Sequence, residues 1–201
     1  MQKFSFRRLF AVLIVLTVAR AVPVAAQSAD ISAYLVGEFK HLDVVHRNVN
    51  VHDFLLVSAF DKSGKTVERL SEKKGKVLLL TFWSRDCLPC RSHLRQLADA
   101  QAEQASDAFE VVAINLDRFQ FSRVRKTLDQ RGLETLAAYQ DFNKNLPFRV
   151  AIDPDLTFFG RAPKTLIIGP DGRVRAIANT RKDWGAPEAL ALFEALQDGR
   201  I

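Results

Sequence analysis

The chain has 201 residues, 48% of them hydrophobic and 9% aromatic, and a formal net charge of +6. This length and composition suit one ordinary domain with a core large enough to fold without disulfide staples. Residues 1–26 carry four basic side chains and no acidic one, so without them the net charge falls from +6 to +2. With no basic face interleaved with aromatic residues either, the sequence excludes a nucleic-acid-binding protein.

The N-terminus has the three parts of an export signal. Lys3, Arg7 and Arg8 form a charged start, residues 9–18 are apolar, and Val24-Ala25-Ala26 is a small-residue cleavage site. We expect cleavage after Ala26. The apolar run has only about ten residues before Arg20, whereas a membrane span needs roughly 20. A cleaved signal peptide is therefore favoured, with an uncleaved N-terminal anchor as the alternative.

Residues 27–50 lack clear periodicity, so we predict an N-terminal extension with one short helix near 31–39. A domain at 51–201 follows. It opens with a predicted hairpin, strands 53–57 and 65–67 around a turn at 61–64 that contains Gly64. Residues 77–83 form a continuous apolar run of strand length, typical of a strand covered on both faces. Beyond it, a helical repeat of apolar residues comprises Leu94, Leu97, Ala98 and Ala102.

The remaining pattern alternates strands and helices. We predict strands at 109–116 and 148–152, and between them a helix at 122–131 closed by Gly132. Strands 165–168 and 174–178 flank a turn at 169–172, and a last helix from about 186 carries Leu190, Phe193 and Leu196 on one face. This order predicts an α/β domain with a mixed sheet and helices on both sides.

The only two cysteines, Cys87 and Cys90, lie three positions apart where the buried strand becomes a helix. A disulfide closing so short a loop contributes only about 2 kcal/mol, compared with about 3 for a 15-residue loop, so it is a poor staple. A helix N-terminus instead favours a thiolate. We expect Cys87 to be the exposed nucleophile, Cys90 to resolve the mixed disulfide, and Pro89 to set the geometry of the first turn.

Two segments carry a family resemblance: Trp83-Ser84-Arg85-Asp86-Cys87-Leu88-Pro89-Cys90, and Ala162-Pro163-Lys164-Thr165 before a strand. They resemble the signatures of the thioredoxin superfamily, and the chain from about 51 to 196 is most similar to periplasmic reductases of the TlpA/ResA type. The resemblance implies a thioredoxin-like fold and a periplasmic location. It also implies that Pro163, after Ala162, is a cis-proline facing the disulfide and offering backbone groups to the substrate.

Several positions depart from the family pattern. Asp86 stands where an aromatic residue is usual, and its charge opposes a thiolate at Cys87, although Arg85 and Arg91 offset it. Thr81 replaces the buried acid of thioredoxin, and His93 replaces a frequent glutamate. We interpret His93 either as a solvent-facing helix residue or as a proton-handling group that titrates near neutral pH. Trp83 either packs beside the disulfide or belongs simply to the core.

The main alternative from another class is a copper or zinc carrier that uses Cys87, Cys90 and His93, although a fourth ligand is missing. We favour a thiol-disulfide oxidoreductase, and a reductase because neither residue between the cysteines stabilises a thiolate. Its redox centre would be the Cys87–Cys90 disulfide itself, with no nicotinamide or flavin. We expect a monomer, protein thiol or disulfide substrates, apocytochromes c among them by resemblance, and a membrane electron donor.

Overall fold

The computed structural model of the protein describes residues 30–58, 67–104, 106–117, 121–141 and 163–201. Three α-helices are present in this part of the chain: α1 (Leu88–Glu103), α2 (Phe121–Asp129) and α3 (Pro187–Gln197). Short 3-10 helices cover Ile31–Tyr34, Gly37–His41 and Leu70–Lys73. The eight strands are β1 (Asp43–Val44), β2 (Leu55–Ser58), β3 (Val67–Arg69), β4 (Val77–Trp83), β5 (Phe109–Asn115), β6 (Ala137–Gln140), β7 (Lys164–Ile168) and β8 (Val174–Ala178).

The strands form a single mixed sheet in the order β1-β8-β7-β4-β5-β6-β2-β3. Strands β4, β5 and β6 run parallel, whereas β7 pairs antiparallel with β4 and is followed by the antiparallel hairpin partner β8. The β7–β8 turn places Gly172 at φ 79°, a left-handed conformation that glycine adopts without the cost of a side chain. The mixed sheet of an α/β domain is therefore as predicted, and β4 lies in its middle.

The central strand β4 is buried along its whole length, and its side chains alternate between two hydrophobic clusters. Val77, Leu79 and Trp83 belong to a larger cluster that also includes residues of α1, α2 and α3. Leu78, Leu80 and Phe82 belong to a smaller cluster on the opposite face, which Val51, Phe54 and Leu70 help to cover. The continuous apolar run of the sequence is explained by burial on both faces.

The segment before residue 51 is built into the same unit. Instead of one helix at 31–39 it forms two 3-10 helices, and β1 pairs antiparallel with β8. Phe39 is fully buried and packs edge-on against Trp184 with ring centroids 5.6 Å apart. Trp184 in turn stacks on Phe193 of α3 at 6.3 Å. The described part of the predicted extension therefore completes one edge of the sheet and part of the larger cluster.

The other differences from the predictions lie where the hydrophobic pattern of the sequence is weak. Strand β6, which no pattern indicated, has only four residues, and it forms four residue pairs with β5 and two with β2. On α3 the predicted apolar face includes Phe193 and Leu196, but Leu190 is 40% exposed because the buried face is completed by Ala189 and Leu192. Ala102 of α1 is likewise exposed. In each helix the other predicted apolar residues are buried, so a single member of each predicted face is exposed.

The remaining predictions agree with the structure within a few residues. The predicted first hairpin is present as β2 and β3, and α2 is followed by Gly132 at φ 65°. Predictions for the signal peptide, the turn at 61–64 and the strand at 148–152 lie outside the described residues. Among the helices that are described, none is both long and apolar enough to cross a membrane.

Candidate functional site

The cysteine pair lies at the junction of β4 and α1, as predicted. Cys87 is the N-cap residue of α1, and Pro89 occupies the first turn, where its missing N–H costs no helical hydrogen bond. The two cysteines form a disulfide. The backbone N–H of Cys90 donates a hydrogen bond to Cys87 Sγ at 3.2 Å. The first sulfur therefore receives an N–H group that would otherwise have no partner within the helix.

The expectation that Cys87 is exposed is wrong for the disulfide form. Cys87 and Cys90 are both 2% exposed, and both belong to the larger hydrophobic cluster together with Trp83 and Leu94. The physical reason is the cap geometry, because the Cys87 side chain folds back over the first turn of α1 instead of pointing into solvent. Within the loop that the disulfide closes, the residue that faces water is Leu88, which is 89% exposed.

Behind the disulfide, His93 anchors α1 to the sheet. His93 is one turn beyond Cys90 and only 1% exposed. Its Nε2 lies 2.8 Å from Thr165 Oγ1, Thr165 Oγ1 donates to Thr81 Oγ1 at 3.1 Å, and Thr81 Oγ1 donates to the Lys164 carbonyl at 3.2 Å. Since Thr165 donates its proton to Thr81, it accepts one from His93. This direction assigns the imidazole proton to Nε2 and leaves Nδ1 unprotonated.

Both interpretations of His93 from the sequence are corrected by this geometry. The residue does not face solvent, and it does not titrate near neutral pH. Burial lowers its pKa from 6.5 to about 4, with a smaller contribution from the positive charge of Arg181. His93 is therefore a neutral imidazole under the disulfide at any pH well above 4. Its buried Nδ1 has no hydrogen-bond partner.

Pro163 lies at the same end of the sheet as the cysteines. In the β4–β7 register Thr81 pairs with Thr165 and Phe82 with Lys164, so the next position places Pro163 opposite Trp83. Pro163 is buried. The structure thus places Pro163 at the end of the sheet that carries the cysteines, whereas Ala162 lies outside the described residues. The cis form of the Ala162–Pro163 peptide bond therefore stays a prediction.

Trp83 fits both interpretations made from the sequence. It is 2% exposed in the larger hydrophobic cluster, which also contains the two cysteines. The guanidinium of Arg131 lies 6.0 Å from the centroid of its ring, within the range of a cation–π contact. Trp83 is a core residue that links the disulfide to a cationic side chain from the turn after α2.

Asp86 points away from the pair. Its side chain is 83% exposed and lies 3.6 Å from the guanidinium of Arg85. Water and this partner both screen its charge, so its predicted opposition to a Cys87 thiolate is weakened. The backbone N–H of Arg85 donates to Asp117 at 2.8 Å, which holds the loop before Cys87 against the end of β5.

In the disulfide form the three candidate metal ligands Cys87, Cys90 and His93 are engaged in other contacts. The two sulfurs are bonded to each other, and Nε2 of His93 is used by Thr165. Within the ranges that the structure describes, no group of three or more His, Cys, Asp or Glu side chains is placed to hold a metal ion.

Sequence reasoning missed two contributors to the site. Thr165 was part of a recognised segment, but nothing in that segment indicates that its hydroxyl reaches His93. Arg131 follows α2 and gave no signal at all, because its approach to Trp83 depends on how the turn after α2 packs. Both contacts join residues that are far apart in the chain.

Comparison with known proteins finds a matching family and relatives that are named thiol-disulfide oxidoreductases. The profile of the AhpC/TSA family matches residues 48–177. The thiol-disulfide oxidoreductase ResA of Oceanobacillus iheyensis is 27% identical over 87% of this chain and 80% of its own length. ResA of Bacillus subtilis is 29% identical, and that match spans 57% of this chain and 58% of the relative.

Solved structures agree at the level of fold. A thiol:disulfide interchange protein DsbE of Chlorobium tepidum matches with a TM-score of 0.59 and 25% identity over 76% of this chain and 99% of its own. A secreted thiol-disulfide isomerase of Corynebacterium glutamicum matches with a TM-score of 0.60 and 20% identity over 73% of this chain and 84% of its own. The predicted thioredoxin-like fold, the resemblance to the ResA type and the class of thiol-disulfide oxidoreductase are confirmed.

Proposed function

The chain belongs to the AhpC/TSA family, and from that premise we propose that it is an exported reductase of protein disulfides acting through Cys87 and Cys90. The observation that carries the proposal is the disulfide at the N-terminus of α1, capped by the Cys90 N–H, directly after the central strand. The relatives named ResA and the secreted isomerase support it. The signal-like residues 1–26 support export to a periplasm or its equivalent.

The reaction begins with the reduced protein. The Cys87 thiolate attacks one sulfur of a substrate disulfide, forms a mixed disulfide and releases the other substrate sulfur as a thiolate. Cys90 then gives up its proton and attacks Cys87 Sγ, so that the first substrate sulfur leaves as a second thiolate. The substrate disulfide becomes two thiols while the protein dithiol becomes the Cys87–Cys90 disulfide. A dithiol donor, which we take to be a membrane protein, must reduce the pair again.

The reducing direction rests on how little stabilises a thiolate here besides the N-terminus of α1 and the Cys90 N–H. Leu88 and Pro89 between the cysteines have neither charge nor imidazole. His93 beneath the pair is held neutral by burial, so it supplies no positive charge. The enclosure of both cysteines in an apolar cluster also disfavours a charged sulfur. A weakly stabilised thiolate form leaves the disulfide form comparatively favourable, which is the property of a reductant.

We assign supporting roles to four further groups. Pro163, with Ala162 before it, would offer backbone groups to an extended substrate segment, Trp83 packs in the same hydrophobic cluster as the disulfide, and Pro89 fixes the first turn of α1. His93, through Thr165 and Thr81, holds α1 in position and keeps the environment of Cys90 uncharged. Apocytochromes c are one candidate substrate class by the resemblance to ResA.

The reduction potential of the Cys87/Cys90 couple tests the direction. We expect a value near or below about −230 mV in equilibrium with dithiothreitol or glutathione buffers, whereas a value near −120 mV would mark an oxidant. Alkylation of free thiols followed by mass spectrometry measures the reduced fraction. A potential near −120 mV would overturn the reductase proposal and leave the exchange chemistry intact.

Serine variants test the assignment of the two sulfurs. We expect Cys87→Ser to abolish reduction of a protein disulfide and Cys90→Ser to accumulate a mixed disulfide through Cys87, visible on a non-reducing gel. Serine is close to cysteine in size, so both variants retain the shape of the site. Full activity of the Cys87→Ser protein would contradict the mechanism.

A further inference from the structure

Beside the disulfide, a groove runs between the first turns of α1 and the turn after α2. It has a volume of about 500 Å³, and it is lined by the exposed Leu88, which directly follows Cys87 in the chain. Its lining includes Leu88, Arg91, Ser92, Arg95, Arg131 and Leu133. We call this feature the arginine groove.

The arginine groove is strongly cationic in a chain that is nearly neutral without its first 26 residues. Three of its lining side chains are arginines, and none of the lining residues that the structure describes is acidic. Arg181 adds a fourth positive charge at the edge, because its Nη1 donates to Ser92 Oγ at 3.0 Å. Two acidic residues that precede the lining residues in the chain are paired with other arginines: Asp86 lies 3.6 Å from Arg85, and Asp129 lies 2.6 Å from Arg125.

Arg131 shows that these positive charges are incompletely compensated. Burial lowers its pKa, and repulsion from Arg91 and Arg85 lowers it further, with Asp117 opposing the shift. Its Nη2 donates to the Arg85 carbonyl at 3.4 Å, whereas the buried Nη1 has no hydrogen-bond partner. A partly desolvated guanidinium crowded by other cations is stabilised by an anion, and carboxylates match its planar donors best among protein groups.

We propose that the arginine groove binds an acidic segment of the protein substrate, so that the enzyme prefers disulfides flanked by Asp or Glu. This inference rests on the proposed function and names its substrate class. Among the described residues, the lining has no aromatic side chain on which a nucleic-acid base would stack, and the adjacent chemistry acts on sulfur. Leu88, exposed and next to Cys87 in the chain, adds an apolar contact for such a segment.

The test compares two synthetic peptides that contain the same intramolecular disulfide, flanked by glutamates in one and by lysines in the other. The full mature protein is reduced with dithiothreitol, freed of reductant and mixed with each peptide, and the loss of its thiols gives a second-order rate constant. We expect the glutamate peptide to react about tenfold faster or more at low ionic strength. The ratio should approach one near 1 M salt, where the screening length is about 3 Å.

Two charge-reversal variants locate the effect. Arg91→Glu should reduce the ratio of the two rate constants severalfold, and this ratio cancels any change in the reactivity of Cys87 itself. Lys74→Glu makes the same change in charge at an exposed position before β4, at the end of that strand away from the cysteines, and should leave the ratio unchanged. Equal rates for both peptides, or a ratio unchanged by Arg91→Glu, would overturn the inference. No reaction with either peptide would overturn the proposed function, and the inference with it.

Discussion

The two faces of α1 have opposite properties although they belong to the same 16 residues. The inner face presents Cys90, His93, Leu94 and Leu97, all buried, and its one titratable side chain other than the redox cysteine is kept neutral. The outer face presents Leu88, Arg91 and Arg95, all exposed. The inner face is thus suited to setting the chemistry of the disulfide, and the outer face to recognising a charged partner.

The largest difference between the faces should appear in the free energy of unfolding that is lost when a leucine is replaced by alanine. Leu97 is fully buried, so Leu97→Ala should lower the free energy of unfolding by about 2–5 kcal/mol through lost contacts and a cavity. Leu88→Ala on the outer face should change it by less than about 0.5 kcal/mol, because Leu88 already faces water. Urea unfolding of the oxidised proteins measures both. Equal losses would show that Leu88 packs against part of the protein.

The second difference is the dependence of stability on pH, which His93 gives to the inner face. The folded pKa of His93, about 4, lies below its ordinary value of 6.5, so the folded protein binds fewer protons than the unfolded chain between these pH values. Its contribution to stability is therefore complete above pH 6.5 and is lost as the pH falls toward 4. At about 1.4 kcal/mol per pKa unit, this loss amounts to about 3 kcal/mol.

Replacing His93 by Gln isolates this contribution. Gln does not titrate and retains an N–H for Thr165, so the variant should lose less stability between pH 7 and pH 4 than the wild type. Carboxylates titrate in both proteins, and their contribution cancels in the comparison. Parallel stability curves for the two proteins over this range would show that the imidazole is not held neutral.

The smallest effect is expected for Asp86, on the exposed side of the cysteine pair. Asp86→Asn removes a negative charge near Cys87 and should raise the reduction potential, but Asp86 is 83% exposed and already beside Arg85. We expect a rise of less than about 15 mV, equivalent to less than about threefold in the equilibrium constant with dithiothreitol. Asp86→Glu keeps the charge and serves as the matched control. A tenfold change would place the carboxylate much closer to the sulfur than the structure does.

The elements predicted correctly are those with a strong local signal. Residues 77–83 are apolar without interruption, and the cysteines with Pro89 mark the start of α1, so both were predictable from neighbouring residues alone. Strand β6 has four residues and depends on β5 and β2 for its existence, which no local pattern reveals. The same holds in the site: the positions of the cysteines were predictable, whereas the burial of Cys87 and His93 depends on packing between α1 and distant strands.

The pairing of β1 with β8 has a consequence for shortened forms of the protein. A chain that began at residue 51 would leave β8 as an unpaired edge strand and would remove Phe39 from the ring of Trp184. Open edges and newly exposed aromatic surface are templates for self-association. Proteolytic trimming of the N-terminal segment would therefore promote aggregation while every residue of the redox site was still in place.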